Sequence, residues 1–169
     1  MPIRPFYDRW PQYNRRLTEV VGAMTDDQLA INPAPDRDRW PIWATVAHTA
    51  GGRNYWLCGV IGEPGADATP WPDALTWDGW EDHLDQPRHA DELVWALTST
   101  FAVVEHVLDT WTPDMLGEEV ERYYGDVRQI HTRASILQRL LTHDAYHCGE
   151  LSQTLGIERL PQIDLWRPD

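Results

Sequence analysis

The chain has 169 residues, 42% of them apolar and 24% charged, which is enough to bury the core of one domain and leaves little for a second. Its 14 basic residues are all arginine and stand against 27 carboxylates, for a net charge of −13. That balance speaks against a nucleic-acid or anionic-membrane surface, because phosphate recognition rests on basic groups that release counterions.

No run of 18 apolar residues offers a bilayer span. The opening Met-Pro-Ile-Arg-Pro has neither an apolar core nor a cleavage signal, so a cytoplasmic location is expected. Two cysteines, Cys58 and Cys148, are too few for a disulfide framework and fit a reducing compartment. Ten tryptophans against two phenylalanines leave two uses open: filling of core and rim, or a cleft lined with indoles.

In chain order, Tyr7, Trp10, Tyr13, Leu17, Val20, Val21 and Met24 recur mostly at three and four residues and predict a first helix over 6–24. Thr25-Asp26-Asp27-Gln28 reads as a capping box opening a short turn of helix. Asn32-Pro33-Ala34-Pro35-Asp36 is a loop. Pro41 marks the start of a second helix, at the first helical position where its missing N–H costs nothing. That helix should run to about Ile61, with Ile42, Trp43, Val46, Ala47, Ala50, Leu57 and Ile61 on its apolar side. Gly51 and Gly52 fall in its middle, where each costs about 1 kcal/mol against alanine.

Residues 62–80, rich in proline and glycine, read as a loop or lid. Leu93, Leu97, Phe101, Val104, Leu108 and Trp111 predict a third long helix over 89–111, closed by Thr112-Pro113. Residues 117–131 are expected to be irregular, with a little extended structure around Gly125. Thr132 is the N-cap of a fourth helix that should end at Gly156. Its seam is Ile136, Leu140, His143, His147 and Leu151. The tail, with Pro161 and Pro168, is loop. The expected architecture is all-α: one four-helix bundle over 1–169, with long loops between helices 2 and 3 and between helices 3 and 4.

The chemistry concentrates on histidine. His143 and His147 lie four apart on one helical face, at seam positions that point into the bundle. Two imidazoles so placed suit one metal ion; the same spacing also serves a pair of core histidines bonded to carbonyls or carboxylates. His48, on the mostly small stripe Ala44, His48, Gly51, Tyr55, tips the balance. One histidine from helix 2 and two from helix 4 would cap one face of an ion and leave open positions, as in a catalytic site.

Gly51 and Gly52 then make room either for substrate or for close helix packing. Glu150 shares the histidine face and suits a hydrogen-bond acceptor for a ligand, a general base or an occasional ligand; a solvated carboxylate at the helix end is the plain alternative. Asp144 and Tyr146 point off that face and read as structural. Cys148 and Cys58 read as packed thiols. His83, His89, His106 and His131 lie at helix ends, in loops or on surfaces.

These patterns resemble the DinB/YfiT-like superfamily of bacterial metalloproteins. The resemblance rests on the architecture over nearly the whole chain and on two stretches. One is Trp40-Pro41-Ile42-Trp43-Ala44-Thr45-Val46-Ala47-His48 with Tyr55-Trp56-Leu57. The other is Leu140-Leu141-Thr142-His143-Asp144-Ala145-Tyr146-His147-Cys148-Gly149-Glu150-Leu151.

The resemblance implies a four-helix bundle, often dimeric, holding one divalent ion (nickel, zinc, manganese or iron) on His48, His143 and His147. It implies a small-molecule substrate and a low-molecular-weight thiol such as mycothiol, bacillithiol or glutathione as cosubstrate. Cys148, Glu150 and the Gly51-Gly52 pair depart from the residues common in relatives.

The expected function is therefore a metal-dependent thiol S-transferase of stress or detoxification. A hydrolase using activated water, with Glu150 as base, is the alternative, and a non-catalytic metal or ligand binder a third. Arg53 or Arg128 could hold the carboxylates of a thiol cosubstrate. Tryptophans left on helix faces predict a homodimer.

Overall fold

Four long helices form where the apolar spacing places them, and local chemistry sets their ends. The computed structural model describes residues 1–34, 39–75 and 78–167. Pro35 and Asp36 of the predicted loop, residues 76–77 of the predicted lid and Pro168 lie outside them.

Helix α1 (Trp10–Gly22) starts later than the predicted 6. Pro11 explains the difference: without an N–H it fits only a first turn. Arg4–Phe6 forms a separate 3-10 turn instead. Helix α2 (Asp26–Leu29) carries the expected capping box, with the Gln28 N–H donated to Thr25 Oγ1 at 3.3 Å and the Thr25 N–H to Gln28 Oε1 at 3.0 Å.

Helix α3 is Ile42–Asn54, and Pro41 is its cap residue (ψ 163°) rather than its first helical one. The chain continues to the predicted end at Ile61, but Tyr55–Ile61 winds as a π-helix. Gly59 lies there beneath the Ala74 carbonyl, whose oxygen would stand 2.7 Å from a Cβ.

Helix α4 (Ala90–Thr110) keeps its predicted bounds to within a residue. The stretch expected to be irregular is instead a regular antiparallel hairpin, β1 (Glu119–Tyr124) and β2 (Val127–Thr132), in register Tyr124↔Val127. Gly125-Asp126 is its two-residue turn, with Gly125 at φ +56°. Glycine at that position suits a tight hairpin turn.

Helix α5 (Arg133–Ile157) is capped by Thr132, which accepts the Ser135 N–H at 3.1 Å. It does not stop at Gly156. A Cβ there would meet Gln162 Nε2 at 2.7 Å, so glycine admits the returning chain. The helix closes one step later in a Schellman motif: Leu160 N–H reaches Leu155 O at 2.8 Å and Arg159 N–H reaches Gly156 O at 3.2 Å. Arg159 takes the left-handed position at φ 59°, where glycine is the usual residue. Arg159→Gly should raise stability by about 1 kcal/mol, seen as a higher denaturant midpoint at unchanged slope. An unchanged midpoint would mean that the arginine side chain offsets the strain.

Around the bundle α1 packs on α4 and α5, and α3 packs on α4 and α5, so α1 faces α3 across the diagonal. The apolar core comes in two parts. One holds Leu17, Ala50, Leu97 and Cys148; the other holds Trp10, Leu57, Phe101 and Leu140. A buried polar layer of Asn14, Arg53, Thr100 and Asp144 separates them, one residue from each long helix. Trp10, Trp43, Trp56, Trp71 and Trp111 are buried, so the indoles mainly fill core. Among the described residues no helix is long and apolar enough to cross a membrane.

Candidate metal centre

The three histidines singled out by spacing meet. His48 projects from α3 toward His143 and His147 on α5. His143 Nε2 lies 3.0 Å from His48 Nε2 and 3.1 Å from His147 Nε2. Donors about 2.1 Å from one ion at right angles stand about 3.0 Å apart, so each of these two pairs has the spacing of neighbouring ligands on one ion, and all three donors lie within 4.8 Å of one another. Small side chains permit this approach. A Cβ on Gly52 would lie 3.3 Å from His143 Cε1, so Gly52 makes room for a ligand's ring rather than for substrate.

Carboxylates fix the proton positions. His48 Nδ1 bonds Glu81 Oε1 at 2.7 Å, and His147 Nδ1 bonds Glu150 Oε2 at 2.8 Å. A carboxylate accepts, so each Nδ1 carries its proton, which in a neutral ring leaves Nε2 with the lone pair that faces His143. Burial, then His147 and His48 with Arg53 and Arg139, push the His143 pKa down to about 3, so its ring is neutral at pH 7. Burial likewise lowers His147, against the opposing bond to Glu150. One proton on His143 Nε2 could serve only one of the two facing lone pairs; one cation serves all three donors. The residues present therefore fit a divalent ion.

Glu81 is the site residue that sequence reasoning missed. Buried on a 3-10 turn, Trp80–Asp82, it lies just past the stretch 62–80 read as a loop or lid. The turn is capped by Asp82, which accepts the Gly79 N–H at 3.0 Å, and Trp80 is held between the Trp71 ring and the Arg88 guanidinium. No local signal marked it, because it follows a stretch without periodicity.

Glu150 falls where the helical spacing put it, with Oε2 on His147 and Oε1 accepting from Arg39 at 3.2 Å. Beside it lies a cleft of about 490 Å³ lined by Arg39, Trp40, Tyr146, His147 and Glu150. The Trp40 ring leans on His48 at 4.7 Å, so one indole does serve the site.

The remaining sequence candidates go elsewhere. Arg53 is not available to a cosubstrate: it is fully buried and spends its donors on Asp144, Asn14 and the Leu97 carbonyl. Arg128 is bound to Glu121 on the exposed hairpin. Asp144 lies off the ligand face, and exposed Tyr146 sets its ring against His147 at 5.0 Å. Burial pushes the Cys148 thiol up to about 12 and the Cys58 thiol up to about 11, so both stay protonated. His83, His89 and His106 lie beside Asp78, Asp26 and Glu63 respectively, and His131 sits on Trp56.

A sequence model of the DinB superfamily matches residues 12–151. A crystal structure of a DinB-like protein from Bacillus cereus shares the fold with a TM-score of 0.65 at 15% identity, over 96% of each chain. No protein of curated function matches the sequence.

Proposed function

This chain belongs to the DinB superfamily, and on that premise we propose that it is a divalent-metal-dependent enzyme that joins a low-molecular-weight thiol to a small electrophile. The convergence of three Nε2 atoms, two of them backed by carboxylates, carries the reading. A divalent ion there (nickel, zinc, manganese or iron) would supply a Lewis acid that favours a thiol's deprotonated, nucleophilic form and can equally activate water. Three neutral imidazoles would hold it without cancelling its charge. Glu81 and Glu150 keep His48 and His147 in the ligating tautomer and orientation. The cleft beside His147 gives a small electrophile room. In the overall step a sulfur–carbon bond forms as the leaving group departs with its electron pair, and the thiol proton goes to solvent.

Hydrolysis is the second reading. Glu150 is the carboxylate that would act as its base, and it already holds His147 through one oxygen and Arg39 through the other. That engagement favours the thiol reading, in which Glu150 acts as a positioning residue.

The test is metal content by mass spectrometry of untagged protein, beside a His48→Ala/His143→Ala variant. It is followed by turnover of glutathione, bacillithiol and mycothiol with an aryl halide. The expected result is near-stoichiometric metal and thiol-dependent turnover in the wild type, and neither in the variant. Equal metal in both proteins would overturn the triad. Metal without turnover of any thiol would return the protein to hydrolysis or plain metal binding.

A further inference from the structure

Beyond the triad, basic groups gather on one buried indole. Arg122 of β1 donates Nε–H to Tyr55 Oη at 2.7 Å and an NH1 hydrogen to Gln129 Oε1 at 3.1 Å. Its guanidinium stands 4.9 Å from the Trp56 ring centre, and that of Arg139 from α5 stands 4.8 Å from the same ring. His131 of β2 meets Trp56 edge-on at 5.0 Å. Burial lowers the His131 pKa, and the two arginines lower it further.

Among the described residues no carboxylate pairs with Arg122 or Arg139. Arg4, Arg39, Arg53, Arg88, Arg128, Arg133 and Arg167 all have one, and Arg9 and Arg159, which show none, do not stand over a ring with another guanidinium. In a chain with a net charge of −13, two acid-free guanidiniums packed on one ring are an exception. Their position gives the exception a use. Arg139 precedes His143 by four residues on the same helical face, about 6 Å along the axis. Like charges beside a divalent cation's seat raise its energy unless an anion joins them. The NH2 of half-buried Arg122 and the whole fork of exposed Arg139 make no hydrogen bond to the described residues and stay open to one.

We propose that Arg122 and Arg139, set on Trp56 and Tyr55, form an anion subsite one helical turn from the histidine triad. It takes a carboxylate or phosphate of the small molecule whose other end reaches the triad. The inference rests on the triad being a ligand-binding centre and sharpens it: the thiol or its acceptor is acidic. It also replaces Arg53 and Arg128, which are committed to Asp144 and Glu121, as the arginines for that task. Paired guanidiniums suit oxyanions because their planar forks donate two parallel hydrogen bonds.

The test titrates succinate and, separately, inorganic phosphate into ¹⁵N-labelled, metal-loaded protein, following the Trp56 indole N–H by NMR. The expected result is a saturable shift with at least one anion, and the tighter binder names the group. Arg122→Gln/Arg139→Gln should raise the Kd at least tenfold. Arg139→Gln alone, an exposed change that spares the fold, should raise it at least threefold. Arg128→Gln should leave it unaltered. The His48→Ala/His143→Ala protein should still bind, which separates this subsite from the fate of the metal reading. No saturable shift with either anion, or an unchanged Kd in the Arg139→Gln and double arginine variants, would overturn the proposal. So would binding lost only with the histidines, because the anion would then sit on the ion.

Discussion

Arg53→Met should destabilise the bundle by about 3–5 kcal/mol, because it leaves the Asp144 carboxylate buried without its cation. Asp144 is 3% exposed and takes three contacts from Arg53 at 2.9–3.1 Å, plus the Trp10 indole N–H at 2.7 Å. Arg53 also reaches Asn14 of α1 at 2.8 Å and the Leu97 carbonyl of α4 at 3.3 Å. One guanidinium thus joins all four long helices at the layer between the two apolar cores. The Arg53→Met/Asp144→Leu double variant should recover most of the loss, since removing both charges removes the desolvation cost as well. Urea unfolding of the three proteins decides the matter. A loss below about 1 kcal/mol for Arg53→Met would mean that Asp144 finds water or a proton easily and that the layer is not dry.

Glu81→Gln should weaken metal affinity about tenfold and Glu81→Ala toward a hundredfold, without reaching the ion directly. The glutamine would keep an acceptor for His48 Nδ1–H but lose the charge that strengthens the ligand; the alanine would lose both. Chelator competition measures the effect. Equal affinity in all three proteins would show that packing by Trp40 alone holds the His48 ring.

Both predictions concern residues whose partners the sequence conceals. The four long helices were legible because apolar side chains repeat at three and four residues over long stretches. The ligand pair His143/His147 was legible for the same reason, being polar residues on an apolar seam. The polar layer shared that signature, with Asn14 between Trp10 and Leu17, Arg53 between Ala50 and Leu57, and Asp144 between Leu140 and Cys148. Each looks unremarkable in its own helix, and only their common height in the bundle joins them. Glu81 lies 33 residues from His48 in a stretch without periodicity, so nothing local pairs them. The hairpin was hidden because Tyr123, Tyr124, Val127 and Ile130 are all substantially exposed and blur the in–out alternation that marks a strand. Its one local signal was Gly125-Asp126, a two-residue turn. The early start assigned to α1 passed over Pro11, and the stop assigned at Gly156 mistook a glycine needed for Gln162 for a helix terminator.

His48 and His143 are 95 residues apart in the chain, and their nitrogens are 3.0 Å apart in space. An ion on the triad would therefore be a cross-link that forms only in the folded chain. At a free concentration one hundred times its Kd it would add about 2.7 kcal/mol to the folding free energy. Metal supply and protein lifetime would then be one equilibrium. A cell short of the ion would hold more unfolded chain, open to proteolysis.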